Sequence, residues 1–275
     1  MSRPSSPVTD DHIHIDPRNG RGLAAARDFF RSGGTHIFLV SKPSSSFGIL
    51  PLCGEDFRPV FEETLSVAEM VSGTGVVVFP VLGVHPAEIT RLLEHVPLER
   101  AAGIMKEGID LAARFVEEGR AVAIKSGRPH YEVPADVWTA SCEVLSYAFE
   151  RAGEAGCAVQ VHAESGDCAD MREMASSAGL DPGRVVKHYA VPSTPLVPSL
   201  IATNPAVPDL CRQGRAFMME SDYMDENTRP GAVIGPRSVP RVTRKLLEAG
   251  EIDEDSAYRV HAETPSRVYG VEISL

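Results

Sequence analysis

Val76-Val77-Val78-Phe79 opens the longest apolar run of the chain, Gly75 to Val84. A strand with one wet face alternates apolar and polar side chains, whereas a strand of a parallel sheet, covered by helices on both faces, reads as a near-continuous apolar run. This stretch is of the second kind. It is also far short of the roughly 20 apolar residues that span a bilayer, so no membrane partner is expected. Working outward, short β-branched runs recur between helical stretches: His12 to Ile15, His36 to Val40, Val76 to Val84, Ala121 to Lys125, Ala158 to His162, Val185 to His188, Leu200 to Thr203 and Ala216 to Glu220. Strands and helices in alternation build a parallel sheet, and eight such units close a barrel. The expected fold is α/β, a (β/α)8 TIM barrel.

The clearest helix follows Pro134 and carries Trp138, Cys142, Leu145, Phe149 and Ala152 on one stripe, with Gly153 and Gly156 at its end. Further helices are expected around Leu65 to Val71, Met105 to Glu118, Ala169 to Ser177, Val239 to Ala249 and Ser256 to Ala262. Ser41 to Gly54 and Thr228 to Pro240 are rich in Gly, Pro and Ser and read as long loops. No repeat or linker divides the chain, and residues 1–275 read as one domain, near the ~250 residues typical of this barrel.

Hydrophobic residues make up 43% of the chain, enough for a sizeable core, so disorder is excluded. With 38 acidic residues against 27 Lys and Arg, the formal net charge is -11. Such a chain repels a polyanion at long range, which argues against a nonspecific nucleic-acid binder but leaves open a nucleic acid held through metal ions. Met1 to Asp11 has no apolar core of the kind a secretory signal needs, and a cytoplasmic location is expected. The five cysteines are scattered and form no CxxC pair, so neither a disulfide framework nor a thiolate zinc site is indicated.

Four of these features fall at the C-terminal ends of different predicted strands: His12 and His14 on the first, His162 on the fifth, His188 on the sixth and Asp222 after the eighth. Residues two apart on a strand share a face, so both histidines of the first strand project into the barrel mouth. Imidazole and carboxylate are ligands that zinc prefers, and a barrel gathers its site at that face from distant positions. A divalent metal site is the reading of the set, although one strand-end histidine alone is more often a core residue than a ligand.

The same positions carry a resemblance. Asp10-Asp11-His12-Ile13-His14, Gly83-Val84-His85-Pro86, Gly127-Arg128-Pro129-His130-Tyr131, Val161-His162-Ala163-Glu164, Lys187-His188 and Glu220-Ser221-Asp222 resemble, in order and spacing, the TatD-related metal-dependent hydrolases of the amidohydrolase superfamily. The resemblance implies one or two divalent ions per chain, zinc first and manganese or magnesium as alternatives, and a small-molecule or nucleic-acid phosphodiester as substrate. It implies that the first-strand histidines and Asp222 face one ion and His162 and His188 a second, with a strand-four acid between them. Here Lys125 stands where that acid is expected. An ammonium beside a divalent ion is unfavourable, which leaves a carboxylated Lys125 acting as a bridging ligand, a mononuclear site with Lys125 displaced, or a degenerate barrel with weak metal affinity.

Asp222 is the candidate general base, with a helix N-cap as its plainer role. Asp10 either orients a ligand histidine or caps the barrel entry. His85, His130, Arg128 and Glu164 are expected substrate contacts, as are Arg229 and Arg237 in the loop after strand eight, where this fold often holds phosphate. His36, His95 and His261 read as structural. An amidohydrolase acting on a small amide, cyclic amide or lactone is the alternative enzyme, and a noncatalytic metal-binding barrel the alternative of another class.

Overall fold

The computed structural model describes residues 6–228 and 233–275. Its strands are β1 (Thr9–His14), β2 (His36–Val40), β3 (Val77–Gly83), β4 (Ala123–Gly127), β5 (Ala158–His162), β6 (Val185–Lys187), β7 (Val197–Ile201), β8 (Met218–Glu220) and β9 (Tyr223–Met224). They form one parallel sheet ordered β8-β7-β6-β5-β4-β3-β2-β1-β9. Ser221 and Asp222 separate β8 from β9, and the first pairs with β7 while the second pairs with β1. The eighth strand of the barrel is thus broken in two, and the break is where the sheet closes on itself. Asp222 makes the turn with a left-handed φ of 44°, and its N–H donates to the His12 carbonyl at 2.9 Å.

The helices are α1 (Leu23–Arg31), α2 (Arg58–Ser72), α3 (Glu88–Leu92), α4 (Leu98–Glu117), α5 (Ala135–Ala155), α6 (Asp170–Ser177), α7 (Val207–Arg212), α8 (Ser238–Glu248), α9 (Glu254–Tyr258) and α10 (Thr264–Tyr269). None is long and apolar enough to cross a membrane. In α5 Leu145, Phe149 and Ala152 are buried as expected, while at its start Val137 and Ser141 are buried in place of their neighbours Trp138 and Cys142. Trp138 lies at the margin of the buried face, where the Arg128 guanidinium covers its ring at 4.7 Å. The helix expected over Ser256 to Ala262 is interrupted by a π turn at Arg259–Glu263. Pro265 has no N–H for the carbonyl of His261, which accepts instead from Thr9 Oγ1 on β1. This contact docks the C-terminal segment under the barrel.

Inside the barrel, Phe38, Val81, Ala123, Ala158, Val186, Val197 and Met218 pack against Ala262, Val268, Tyr269 and Ile273. Ala123, Ala158, Val197 and Met218 open their strands, so the C-terminal segment plugs the end opposite the mouth. The reading of β3 as buried throughout needs correction. Val77 is 45% exposed, Val78 and Phe79 are half-buried, and only Val81 to Gly83 are enclosed. Val78 packs partly against Val67, Ala68 and Val71 of α2, and Phe79 partly against the plug. β7 also lies three residues earlier than expected, because its partners on β6 and β8 set its register.

At the mouth, β3 and β4 approach their neighbours closely. A Cβ on Gly83 would fall closer than 3.0 Å to the Lys125 carbonyl oxygen, and one on Gly127 equally close to that of His162. Both obstacles are sheet backbone, which cannot move without breaking the ladder. Gly83→Ala is therefore expected to destabilise the fold by ~3 kcal/mol or more in denaturant unfolding, well above the usual cost of overpacking. A change below ~1 kcal/mol would show the mouth to be pliable.

Candidate metal centre

The two β1 histidines have fixed tautomers. His14 Nδ1 lies 2.8 Å from the Val40 carbonyl, which can only accept, so Nδ1 carries the proton. His12 Nδ1 lies 2.9 Å from Gln160 Oε1. The Gln160 amide is itself oriented, since its Nε2 donates to the Asp11 carbonyl at 2.8 Å and to the Tyr269 hydroxyl at 2.7 Å. His12 Nδ1 must therefore be protonated as well. The two remaining nitrogens, both Nε2, face each other at 3.2 Å as bare electron pairs. Burial, aided by the neighbouring charge of Lys125, holds both imidazoles well below their ordinary pKa, so no proton lies between them. Two nitrogens bound at 2.0–2.1 Å to one tetrahedral ion stand about 3.3 Å apart. The donor pair fits a zinc-like cation in chemistry and spacing.

The rest of the mouth extends this pair. Donor atoms of His12, His188 and Asp222 lie within 4.8 Å of one another, and the rings of His12 and His188 stack at 4.0 Å. His188 Nδ1 meets Glu220 Oε1 at 3.1 Å, and its Nε2 is 2.9 Å from His162 Nδ1. His162 Nε2 in turn is 2.9 Å from His130 Nδ1, and the His85 ring lies 4.5 Å from that of His162. Six of the nine histidines thus form one contiguous group. Burial pushes His188 down to about 3 and Glu220 up to about 8. Lys125, buried at the end of β4, is pushed down to about 8 by desolvation, against the pull of Asp222 and Glu220. Its charge adds to burial in depressing His12, His14, His85, His162 and His188.

Backbone strain concentrates here too. Among the described residues the non-glycine positions with left-handed φ are Cys168, Tyr189 and Asp222, which follow β5, β6 and β8 at the mouth. Such conformations persist only where surroundings over-determine them, and they collect at functional sites.

The profile of the TatD related DNase family matches residues 9–207. The chain belongs to this family. An uncharacterised protein of Methanocaldococcus jannaschii is 37% identical over 284 residues, covering 98% of both chains. The structure of a TatD-like protein from Archaeoglobus fulgidus superposes with a TM-score of 0.64 at 18% identity, over 96% of this chain and 100% of that one. A mutant of a PTE-like lactonase from Deinococcus radiodurans superposes at 0.58 and 14% identity, over 96% and 95%. At these identities the two structures speak for the barrel fold.

The mouth of this TatD chain brings together His12, His14, His85, Lys125, His130, His162, His188 and Asp222. Other candidates land elsewhere. Asp10 Oδ1 accepts from the backbone of Ser221 at 2.9 Å and of His12 at 3.3 Å, and reaches no imidazole. A bulge between Asp10 and Ile13 breaks the two-residue alternation of β1. Arg128 and Glu164, expected to meet substrate, meet each other. The guanidinium is buried between Glu164 and Asp170, which consume its donors. Arg237 is exposed at the start of α8, and Arg229 lies outside the described residues. Asp225 accepts from the backbone of Asp16, Arg21 and Gly22. His36 and His261 are buried against Thr35 and Thr243 respectively, as structural residues would be.

Sequence reasoning passed over Gln160, Glu220 and Tyr269. The available signal was a polar side chain inside an apolar strand: Gln160 and Glu220 each stand two residues before a candidate ligand. Removing such an orienting partner typically costs 10–100-fold in metal affinity. Gln160→Leu is expected to weaken zinc binding by about that range in a chelator competition while the protein stays folded. Unchanged affinity would mean that something other than Gln160 sets the His12 tautomer.

Proposed function

We propose that this chain is a metal-dependent hydrolase that cleaves phosphodiesters, with DNA as the substrate class its family name implies. The observation that carries the reading is the pair of unprotonated Nε2 atoms of His12 and His14 at 3.2 Å, beside His188 and Asp222. A divalent cation held by these groups, zinc first and manganese or magnesium as alternatives, supplies a Lewis acid and makes water available as a nucleophile near neutral pH. Among the chain's own groups, His12 and His14 are aimed by Gln160 and Val40, and His188 by Glu220. Asp222, with a side chain 14% exposed to the mouth, accepts the proton of the attacking water. His85 and His130 border the space a substrate would enter.

Lys125 is the residue that does not fit as an ammonium, because it brings positive charge to a group of electron pairs. Its amine, pushed down to about 8 by burial, is available to react. The nitrogen attacks the carbon of CO2, an N–C bond forms, one C=O electron pair moves to oxygen, and a proton leaves to solvent. The product is a carbamate anion, which would supply the negative bridging ligand missing from β4. Carbon-13 bicarbonate should label the chain at this position, and Lys125→Ala should abolish the label. An unmodified amine with one metal per chain would replace this part of the reading by a mononuclear site.

A second reading has its own support. The groove beside His130, of about 810 Å³, is lined by Pro129, Tyr131, Val133, Trp138, Glu132 and Glu164 among others. With Glu164 paired to Arg128, the groove has no cationic side chain in its lining to draw a polyanion and has the apolar and aromatic surface to suit a small neutral lactone or cyclic amide, and the superposed Deinococcus radiodurans protein is a lactonase mutant by name. Metal content followed by a panel of phosphodiesters, lactones and amides with zinc, manganese or magnesium separates the two. Asp222→Asn should retain part of the metal and lose about 10²–10⁴-fold in turnover on the accepted class. Substantial activity in that variant would remove Asp222 as the base, and metal without turnover on any class would favour a binding barrel.

A further inference from the structure

Tyr189 is 56% exposed, follows His188 directly and adopts a left-handed φ of 51°. Folding gives no reason for an aromatic ring there. More than half of the residue is open to solvent, and a glycine would take the same backbone without strain. The conformation is nonetheless held firmly, since Glu220 Oε1 accepts both the Tyr189 N–H at 2.8 Å and the Nδ1 of His188 at 3.1 Å. One buried carboxylate oxygen therefore sets the direction of a candidate ligand and of the ring beside it.

The ring also ends a row. From Tyr131, 38% exposed at the far groove, centroids step 5.3 Å to His130, 4.8 Å to His162, 5.0 Å to His188 and 6.4 Å to Tyr189. A substrate whose scissile group reaches the imidazoles in the middle has a ring within reach on either side, Tyr131 beyond His130 and Tyr189 beyond His188. At the Tyr131 end Glu132 and Glu164 line the groove. The Tyr189 end offers an open aromatic face.

We infer that Tyr189 is a stacking platform for a planar ring, a nucleobase, attached beside the phosphate that the histidine group handles. The inference rests on the phosphodiester reading for the identity of the ring, and it is tested by binding rather than by turnover. Thymidine monophosphate and 2-deoxyribose 5-phosphate share sugar and phosphate and differ in the base. By calorimetry on the full chain with zinc added, the nucleotide should bind about tenfold more tightly, the effect of one base stacked on an aromatic side chain.

Tyr189→Ala should close that gap and Tyr189→Phe should keep it. Tyr189→Gly should also close it while raising the Tm through relief of the left-handed strain, a combination that a merely structural tyrosine would not give. Equal binding of the two phosphates by the unaltered protein, no binding of either, or a gap that survives Tyr189→Ala would each overturn the proposal. A gap that depends on Tyr189 without phosphodiester turnover would keep the platform and reject the hydrolase reading. Turnover on DNA without the gap would do the reverse.

Discussion

The closure of the barrel depends on a break. A regular eighth strand running from Phe217 to Met224 would keep one register, yet it has to serve β7 on one side and β1 on the other. The chain answers by pairing β8 with β7, turning at Asp222 and pairing β9 with β1. Asp10 and Asp225 then fasten the seam from opposite sides, the first through the N–H groups of His12 and Ser221, the second through those of Asp16, Arg21 and Gly22. A bulge in β1 falls at the same height. Two irregularities facing each other across one seam bring His12 and Asp222 together, with 3.8 Å between Nε2 and Oδ1. The site is a consequence of how this barrel closes.

Beneath the histidines the interior changes from polar to apolar within a strand length. Gln160, Asp11, Glu220 and the Tyr269 hydroxyl form the layer under the imidazoles, and Phe38, Met218 and the Tyr269 ring belong to the plug below it. Burial raises Asp10, Asp11 and Glu220 to about 8 each. These acids sit under the place a cation would occupy. The same layer explains why a tyrosine from the last helix matters at the mouth, since its hydroxyl holds the amide that holds His12.

Periodicity made the regular parts legible. His36 to Val40 and Ala158 to His162 are strands with the bounds read from sequence, because apolar residues between clear breakers leave little freedom. The ligand candidates were legible for a similar reason, as histidines at strand ends have one direction to face. What alternation cannot show is a bulge, such as the one between Asp10 and Ile13. Nor can it show partners far away in sequence. Gln160 stands 148 residues from His12, and Arg128 finds Asp170 at 42, with the guanidinium consumed by two carboxylates that no local pattern joins to it.

The fate of each imidazole proton follows from the barrel wall. An isolated histidine can put its proton on either nitrogen, and a metal site needs the choice made in advance. Here the choice is made by acceptors that cannot reverse: a backbone carbonyl for His14, and for His12 an amide whose own donors are committed to Asp11 and Tyr269. Only backbone and well-packed strand residues are rigid enough for this, which is why the orienting groups lie on β2 and β5 rather than on loops. The loops carry the opposite burden. Asp222 and Tyr189 stand just beyond strand ends with left-handed backbone, and each donates its N–H to a rigid neighbour, the His12 carbonyl and Glu220. The wall fixes which electron pairs are offered, and the strained turns place the groups that border the mouth.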